Sequence, residues 1–300
     1  MGLLRPKPPE VPPEGDVVDP DFLPDAIDLD RPNIARIYDW ALGGSANWAI
    51  DRQYGEQAVQ AFPLAKALAR GNRDFLGRAV RYCLAEGITQ FLDLGSGIPT
   101  AGNVHEVADD YADDSRCVYV DHEPVAVAHG RMLLEEAGDP ERHAVLHADL
   151  RDAEEVWEAA LATGVLDPDR PICLLTVAVL HFLPDVTGVR QAIRDYRTLL
   201  APGSAYVLSH ATESGVEGEE LEQIRKLVKL SERSSSPAVS RSLDEIAAFF
   251  GTFDVVEPGI VPVGEWRPEP GAATVRLASV VGGVGRKPGG RNDDAGPRSA

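Results

Sequence analysis

Acidic and histidine side chains follow several short apolar stretches of the sequence, where they could bind or activate a ligand. Asp93, Asp121 and Asp149 each come at or near the end of such a stretch, and His181 and His210 end two later ones. If these stretches are parallel strands of one sheet, their carboxyl ends meet at the edge where open α/β sheets bind ligands. An aspartate at a strand end can also simply cap the next helix. The recurrence at successive ends favours a binding site.

The stretch TQFLDLGSGIPT, residues 89–100, is typical of a buried strand followed by a glycine-rich turn. Gly95 and Gly97 lack the side chains that would keep a ligand away from the backbone. Asn103 is a candidate N-cap for the helix that follows. Together the strand, turn and helix start predict a nucleotide-type cradle. The third glycine of the dinucleotide fingerprint would fall at Thr100, so the phosphate-binding pattern is incomplete.

The two later aspartates indicate which nucleotide-like ligand this cradle binds. Asp121 lies 26 residues after Gly95 and could accept both hydroxyls of a ribose. Asp149, one strand further on, could accept from the exocyclic amine of adenine. Two acidic contacts of this kind fit an adenosyl group better than a pyrophosphate. The sequence also has no Tyr-x-x-x-Lys pair for hydride transfer, which leaves a nicotinamide-dependent oxidoreductase as a weaker alternative.

The elements that must position these residues alternate between strand and helix from residue 89 onward. We predict strands at 91–95, 117–121, 144–150, 172–180, 205–210, 253–256 and 273–281. Helical patterns separate the first five strands, and the last two are predicted to form a terminal hairpin. The expected fold is α/β, a doubly wound, mostly parallel seven-stranded sheet with an N-terminal helical cap. We divide the chain into a disordered leader (1–30), the cap (31–87), a ligand-binding domain (88–284) and a disordered tail (285–300).

Composition restricts the partners. Asp and Glu number 48 against 29 Lys and Arg, a formal net charge of -19, so we expect no nucleic acid and no anionic membrane surface as partner. Cys83, Cys117 and Cys173 lie in apolar contexts without Cys-x-x-Cys spacing, which is typical of reduced, buried thiols. The longest apolar run, 172–183, is too short for a membrane span. We therefore expect a cytoplasmic protein.

Several motifs together resemble the class I S-adenosylmethionine-dependent methyltransferases. DLGSG at 93–97, Asp121 and Asp149 carry the general resemblance. Longer stretches are similar to an actinobacterial methyltransferase family long labelled as of unknown function: RPNIARIYDWALGGSANWAIDR, VYVDHEPVAVAHGR, HADLRD and VAVLHFLPD. The resemblance extends over roughly residues 31–282.

The resemblance implies a Rossmann-like fold, S-adenosyl-L-methionine as cofactor and transfer of its methyl group. The family's strand-end acid and glycines fall on Asp93, Gly95 and Gly97, its ribose acid on Asp121 and its adenine-side acid on Asp149. The expected cofactor contacts are completed by Ser96, His122 and Leu150, next to these positions, and by Ala178, near the end of the fourth predicted strand. The resemblance brings no acceptor. We expect a small molecule, or less readily a protein, and leave the oligomeric state open. A non-catalytic S-adenosylmethionine-binding regulatory protein is the alternative.

Methyl transfer from a sulfonium is an in-line displacement that needs a base only if the acceptor must lose a proton. His181, His210 and Tyr38 are the candidates for that base, although each histidine could equally be structural. Arg36 and Arg73 are candidates to bind the methionine carboxylate, since a guanidinium can grip it with two hydrogen bonds. No histidine has metal-ligand spacing, so we predict no metal.

The aromatic residues of the predicted cap allow two interpretations. Tyr38, Trp40 and Trp48 lie beside the double glycine at 43–44 and could form a lid over cofactor and acceptor. They could instead fasten the cap helices onto the sheet, and for the two tryptophans we favour that role.

Overall fold

The computed structural model describes residues 28, 30–98, 102–271 and 277–289. The helices in these ranges are α1 (Ile34–Leu42), α2 (Ala49–Ala61), α3 (Ala65–Ala85), α4 (Val104–Asp109), α5 (Pro124–Ala137), α6 (Ala153–Ala162), α7 (Val186–Leu199), α8 (Gly218–Ser231) and α9 (Leu243–Ala247). The strands are β1 (Gln90–Leu94), β2 (Arg116–Asp121), β3 (His143–His147), β4 (Ile172–Val177), β5 (Ala205–Ala211), β6 (Asp254–Val255), β7 (Val261–Pro262) and β8 (Val280–Arg286). Short 3-10 helices lie at Leu180–Phe182 and Val263–Glu265.

These strands form one sheet in the order β3-β2-β1-β4-β5-β8-β6, with β7 paired to β8. The first five strands are parallel to their neighbours, and β8 is antiparallel to both β5 and β6. The predicted doubly wound, mostly parallel sheet is confirmed. The two predicted terminal strands do pair antiparallel, but β6 meets β8 at Gly285 and Arg286, beyond the predicted strand, and β7, which was not predicted, lies between them in the sequence and also pairs with β8. Strand order reverses between β1 and β4. A ligand therefore has its crevice beyond the carboxyl ends of these two strands.

Helices cover both faces of the sheet because the central strands are apolar on both sides. On one face α3 and α4 pack against β1 around Phe75 and Phe91. On the other face α6 and α7 pack around Trp157 and Tyr196. The three cysteines are free and buried in this core, as predicted.

Two strand boundaries differ from the sequence prediction. β4 ends at Val177 because Ala178 has a left-handed backbone, with φ of 57°, and the chain then turns into a 3-10 helix. The last strand, predicted at 273–281, runs from 280 to 286. Arg286 pairs with Ala205, so the first two residues of the predicted tail belong to the sheet.

Several predicted segments fall on positions outside the described residues. They are most of the leader (1–27 and 29), the end of the glycine-rich turn and the residue after it (99–101), the start of the predicted last strand and the residue before it (272–276), and the tail from 290 onward.

The tryptophans of the cap fasten its helices. A Cβ atom added to Gly55 in α2 would lie 2.3 Å from the Trp40 ring, so the two helices meet at this glycine. Lys66 Nζ lies over the same ring, 3.8 Å from its centre. Trp48 packs against Ile98 and the first turn of α5. These contacts support the fastening role over the lid.

Candidate active site

A cavity of about 390 Å³ lies beyond the carboxyl ends of β1 to β4. Helices α1 and α3, the loop after β4 and residues 235–237 complete its walls. The predicted site residues that line it are Tyr38, Arg73, Asp93, Gly95, Ser96, Gly97, Asp121, His122, Asp149, Leu150 and Ala178. The structure thus brings together most of the side chains expected from the sequence.

The glycine-rich turn is fixed against the neighbouring strand. The backbone N–H groups of Gly95 and Ser96 donate to the Val120 carbonyl at 2.8 and 3.2 Å. Gly95 has φ of +72°, and a Cβ atom there would lie 2.3 Å from the Val179 side chain. Glycine is therefore required both by the backbone conformation and by the close approach of the loop after β4.

Asp121 holds this turn while facing the cavity. Its carboxylate accepts hydrogen bonds from the backbone N–H groups of Gly97 at 2.8 Å and Glu123 at 2.9 Å. The side chain is buried, with 6 % exposed. Because an ionised carboxylate has about four acceptor positions, Asp121 retains capacity for the hydroxyls of a ribose.

Asp93 and Arg73 place an acidic and a basic side chain in the cavity wall. Burial raises the pKa of Asp93 to about 7, although Arg73 opposes the shift and Asp121 adds to it. Within the described chain the Arg73 guanidinium donates no hydrogen bond, and its Nε is buried without a partner. An amino-acid zwitterion fits this pair, since its ammonium would face Asp93 and its carboxylate Arg73. The methionine part of S-adenosylmethionine is such a group.

Asp149 is already paired. Arg151 Nε lies 3.0 Å from each of its carboxylate oxygens, and the Arg151 backbone N–H donates to Oδ1 at 2.9 Å. These hydrogen bonds lower the pKa of Asp149. The carboxylate is 30 % exposed, so it remains accessible from the cavity mouth. An adenine amine at this position would share it with Arg151.

Sequence reasoning missed a neutral hydrogen-bond network that links the cap to the sheet. Tyr38 OH donates to the Ala69 carbonyl at 3.0 Å and accepts from Asn72 Nδ2 at 3.1 Å. Asn72 Oδ1 accepts from Ser209 Oγ at 2.6 Å, and Ser209 Oγ accepts from Ala178 N at 2.9 Å. The one sequence feature that could have indicated this network is Asn72, a polar residue in the apolar stripe of α3.

His181 and His210 do not line the cavity; they lie in a buried cluster with Arg241. His210 Nδ1 is 2.6 Å from the Ala211 carbonyl, and its Nε2 is 2.7 Å from Arg241 Nη1. Burial lowers the pKa of His210 to about 4, and burial together with His210 and Arg241 holds the pKa of His181 well below its usual value. The structure therefore does not place either histidine where the expected base would act.

Arg36 is also committed elsewhere. Its Nε lies 2.8 Å from Asp51 Oδ2, and its Nη2 donates to the Arg31 carbonyl at 2.9 Å. Only 1 % of the residue is exposed. Because this guanidinium joins α1 to α2 and does not line the cavity, Arg73 is the remaining candidate for the methionine carboxylate.

The described residues contain neither a metal-binding cluster nor a membrane-crossing helix. They contain no group of three or more His, Cys, Asp or Glu side chains arranged to hold a metal ion. None of their helices is both long and apolar enough to cross a membrane.

The doubly wound sheet with its antiparallel β8, the glycine turn after β1 and the acids at or near the ends of the first three strands are the features of a class I S-adenosylmethionine-dependent methyltransferase. A family model described as S-adenosyl methyltransferase matches residues 21–288, and the chain belongs to this family. No curated protein matches the chain.

Two solved structures are similar over nearly their whole length. A putative methyltransferase from Thermobifida fusca is 37% identical, with a TM-score of 0.78 over 87% of this chain and 97% of that one. A DUF574 family protein from Streptomyces avermitilis is 32% identical, with a TM-score of 0.79 over 86% and 98% of the two chains. The fold and the family expected from the sequence are confirmed.

The chain is thus an S-adenosylmethionine-dependent methyltransferase. The cofactor supplies a methyl group made electrophilic by its sulfonium. No comparison favours the non-catalytic or oxidoreductase alternatives.

Proposed function

We propose that this methyltransferase transfers the methyl group to a small-molecule acceptor by in-line displacement. The observation that carries the proposal is the continuity of the cavity. The strand ends with the acidic residues and the cap helices with Tyr38 and Asn72 line one space of about 390 Å³. A cavity roofed by helices on several sides suits a small molecule better than a segment of a folded protein.

In this proposal the cofactor lies along the strand ends. Arg73 binds its methionine carboxylate and Asp93 its ammonium, Asp121 accepts from the ribose hydroxyls, and Asp149 accepts from the adenine amine. Gly95 and Gly97 let the backbone approach the ligand. The remaining predicted contacts come from neighbouring positions that line the cavity: Ser96, His122, Leu150 and Ala178.

Catalysis in this proposal relies on positioning. Tyr38 is the one base candidate that lines the cavity, and its hydroxyl already donates to the Ala69 carbonyl. A displacement in which nucleophile, methyl carbon and sulfur are held in line and away from water needs no proton transfer in the chemical step. A cytoplasmic location and the absence of a nucleic-acid partner stay predictions from composition.

The acceptor class can be tested with fractionated cell extract. The protein is incubated with S-adenosylmethionine and either the low-mass filtrate or the protein fraction, and S-adenosylhomocysteine is measured. We expect the filtrate to support product formation, and Asp121→Ala to remove most of it. Product formed only with the protein fraction would contradict a small-molecule acceptor.

A further inference from the structure

The backbone at Ala178 has a conformation that alanine rarely adopts. Its φ of 57° lies in the left-handed region, where the Cβ atom of an L-residue crowds a backbone carbonyl oxygen. Ala178 is the first residue after β4, and it lines the cavity beyond the strand ends. A strained conformation of this kind persists only where the surrounding structure imposes it.

Ser209 in β5 supplies the hydrogen bonds that impose this conformation. The Ala178 N–H donates to Ser209 Oγ at 2.9 Å and lies 3.3 Å from the Ser209 carbonyl oxygen. Ser209 is fully buried, so its hydroxyl has no access to water. The hydroxyl hydrogen is donated to Asn72 Oδ1 at 2.6 Å, which leaves the oxygen lone pairs for the Ala178 N–H. Asn72 therefore orients the hydroxyl that holds Ala178.

Asn72 is itself fixed from the cap. Its side chain is buried in α3, and its Nδ2 donates to Tyr38 OH of α1 at 3.1 Å. Tyr38 OH in turn donates to the Ala69 carbonyl at 3.0 Å. One chain of hydrogen bonds thus runs from two cap helices through β5 to the end of β4.

The conformation of Ala178 also determines how the next residue meets the glycine-rich turn. A Cβ atom on Gly95 would lie 2.3 Å from Val179 Cγ2, so Val179 packs directly against this glycine. Gly95 follows β1, and strand order reverses between β1 and β4. The two loops therefore meet where the ligand crevice opens. Because Val179 follows Ala178 directly, the backbone of Ala178 sets how closely these loops approach each other.

We propose that Ser209, oriented by Asn72, is a positioning residue for the cofactor. Its hydroxyl holds Ala178, and with it Val179, in the arrangement to which the cofactor binds. The inference rests on the proposed function, because it assumes that the cofactor lies along the ends of β1 and β4. Ser209 has no exposed surface, so its effect on the ligand passes through the backbone of Ala178.

The test compares two buried serines that each accept a backbone N–H at one end of β4. Ser209 accepts from Ala178 at the carboxyl end, and Ser204 Oγ accepts from Ile172 N at 3.0 Å at the amino end. Ser204→Ala is therefore the matched control for Ser209→Ala. Isothermal titration calorimetry measures S-adenosylhomocysteine binding at a temperature where both variants are folded. We expect Ser209→Ala to bind about tenfold less tightly and Ser204→Ala to bind as the parent does, although both lose a buried hydrogen bond.

A second background separates positioning from a general loss of packing. Glycine adopts a positive φ without strain, so an Ala178→Gly protein needs less support from Ser209. Ser209→Ala made in this background should reduce affinity about threefold or less. Ser209→Cys keeps a weak hydrogen-bonding group and should give an intermediate affinity, which provides the same comparison if Ser209→Ala does not fold.

Equal affinities of the Ser209 and Ser204 variants would overturn the inference. So would a loss in Ser209→Ala that is just as large in the Ala178→Gly background. These outcomes are distinct from failure of the proposed function, in which the folded parent protein would not bind S-adenosylhomocysteine.

Discussion

The carboxylate of Asp121 accepts a hydrogen bond of 2.8 Å from the backbone N–H of Gly97. The residue expected to bind the ribose therefore also fixes the turn that must lie against the cofactor. Ligand contact and loop geometry depend on one side chain in this site.

Asp121→Ala should weaken S-adenosylmethionine binding about 10- to 100-fold, because a charged acceptor for the ribose hydroxyls and the anchor of the turn are both lost. Asp121→Asn keeps an oxygen that can accept from Gly97 N–H, so we expect a smaller loss. Isothermal titration calorimetry measures both. Asp113→Ala, at an exposed aspartate outside the cavity, is the control. Unchanged affinity in Asp121→Ala would exclude the ribose role.

The role of Arg73 in binding the amino-acid carboxylate can be tested with two ligands, each measured on the parent protein and on a variant. We expect Arg73→Ala to lower affinity for S-adenosylhomocysteine about tenfold or more, since the amino-acid carboxylate loses its guanidinium. Affinity for 5′-methylthioadenosine, which has no amino-acid group, should change little. Calorimetry with both ligands separates the two cases. An equal loss for both would mean that Arg73 acts on the cavity as a whole.

The buried carboxyl of Asp93 predicts a specific pH dependence of stability without cofactor. Burial raises the pKa of Asp93 to about 7, compared with about 3.9 in an unfolded chain. Between these two pH values the folded protein holds a proton that the unfolded chain releases, so this group makes stability fall as pH rises from about 4 to 7. Asp93→Asn cannot ionise and should be more stable than the parent above pH 7, by about 4 kcal/mol at most.

Urea unfolding of the parent and Asp93→Asn at pH 5 and pH 8 measures this effect. We expect the two free energies of unfolding to be similar at pH 5 and the variant's to be higher at pH 8. The same variant should bind S-adenosylmethionine less tightly, because the ammonium loses a charged partner. Parallel pH profiles would show that Asp93 does not titrate in this range.

The contact between Trp40 and Gly55 predicts the stability of the cap. Gly55→Ala should destabilise the protein by about 1–3 kcal/mol, because the new Cβ atom would overlap the Trp40 ring. Gly71→Ala in α3 is the matched control: apart from its own helix backbone and chain neighbours, nothing lies within 4 Å of its Cβ position, and alanine favours the helix. Thermal unfolding compares them. A Gly55→Ala variant as stable as Gly71→Ala would contradict the close packing of the Trp40 ring on Gly55.

The parts of the site that could be predicted from the sequence are those with local signals. Asp93 and Asp121 each end an apolar run, and glycines follow the first of them, so their positions at strand ends follow from short segments. The order of strand and helix along the chain gives the parallel sheet for the same reason.

The contacts that could not be predicted join residues far apart in the sequence. Ser209 and Asn72 are hydrogen-bonded across 137 positions, and Arg241 meets His210 across 31. The residues next to a histidine in the sequence do not show whether its side chain faces the cavity. His210 instead contacts Arg241, which comes from a loop later in the chain. The last strand lies later in the sequence than predicted for a similar reason. Its end is set by the pairing of Arg286 with the distant residue Ala205, and not by its own hydropathy.

The most direct test of the account is a crystal structure of the protein with S-adenosylhomocysteine. We expect the ligand in the cavity beyond β1 and β4, with its carboxylate at Arg73, its ammonium at Asp93 and its ribose hydroxyls at Asp121. A ligand bound elsewhere, or bound here with the amino-acid group away from Arg73 and Asp93, would contradict it.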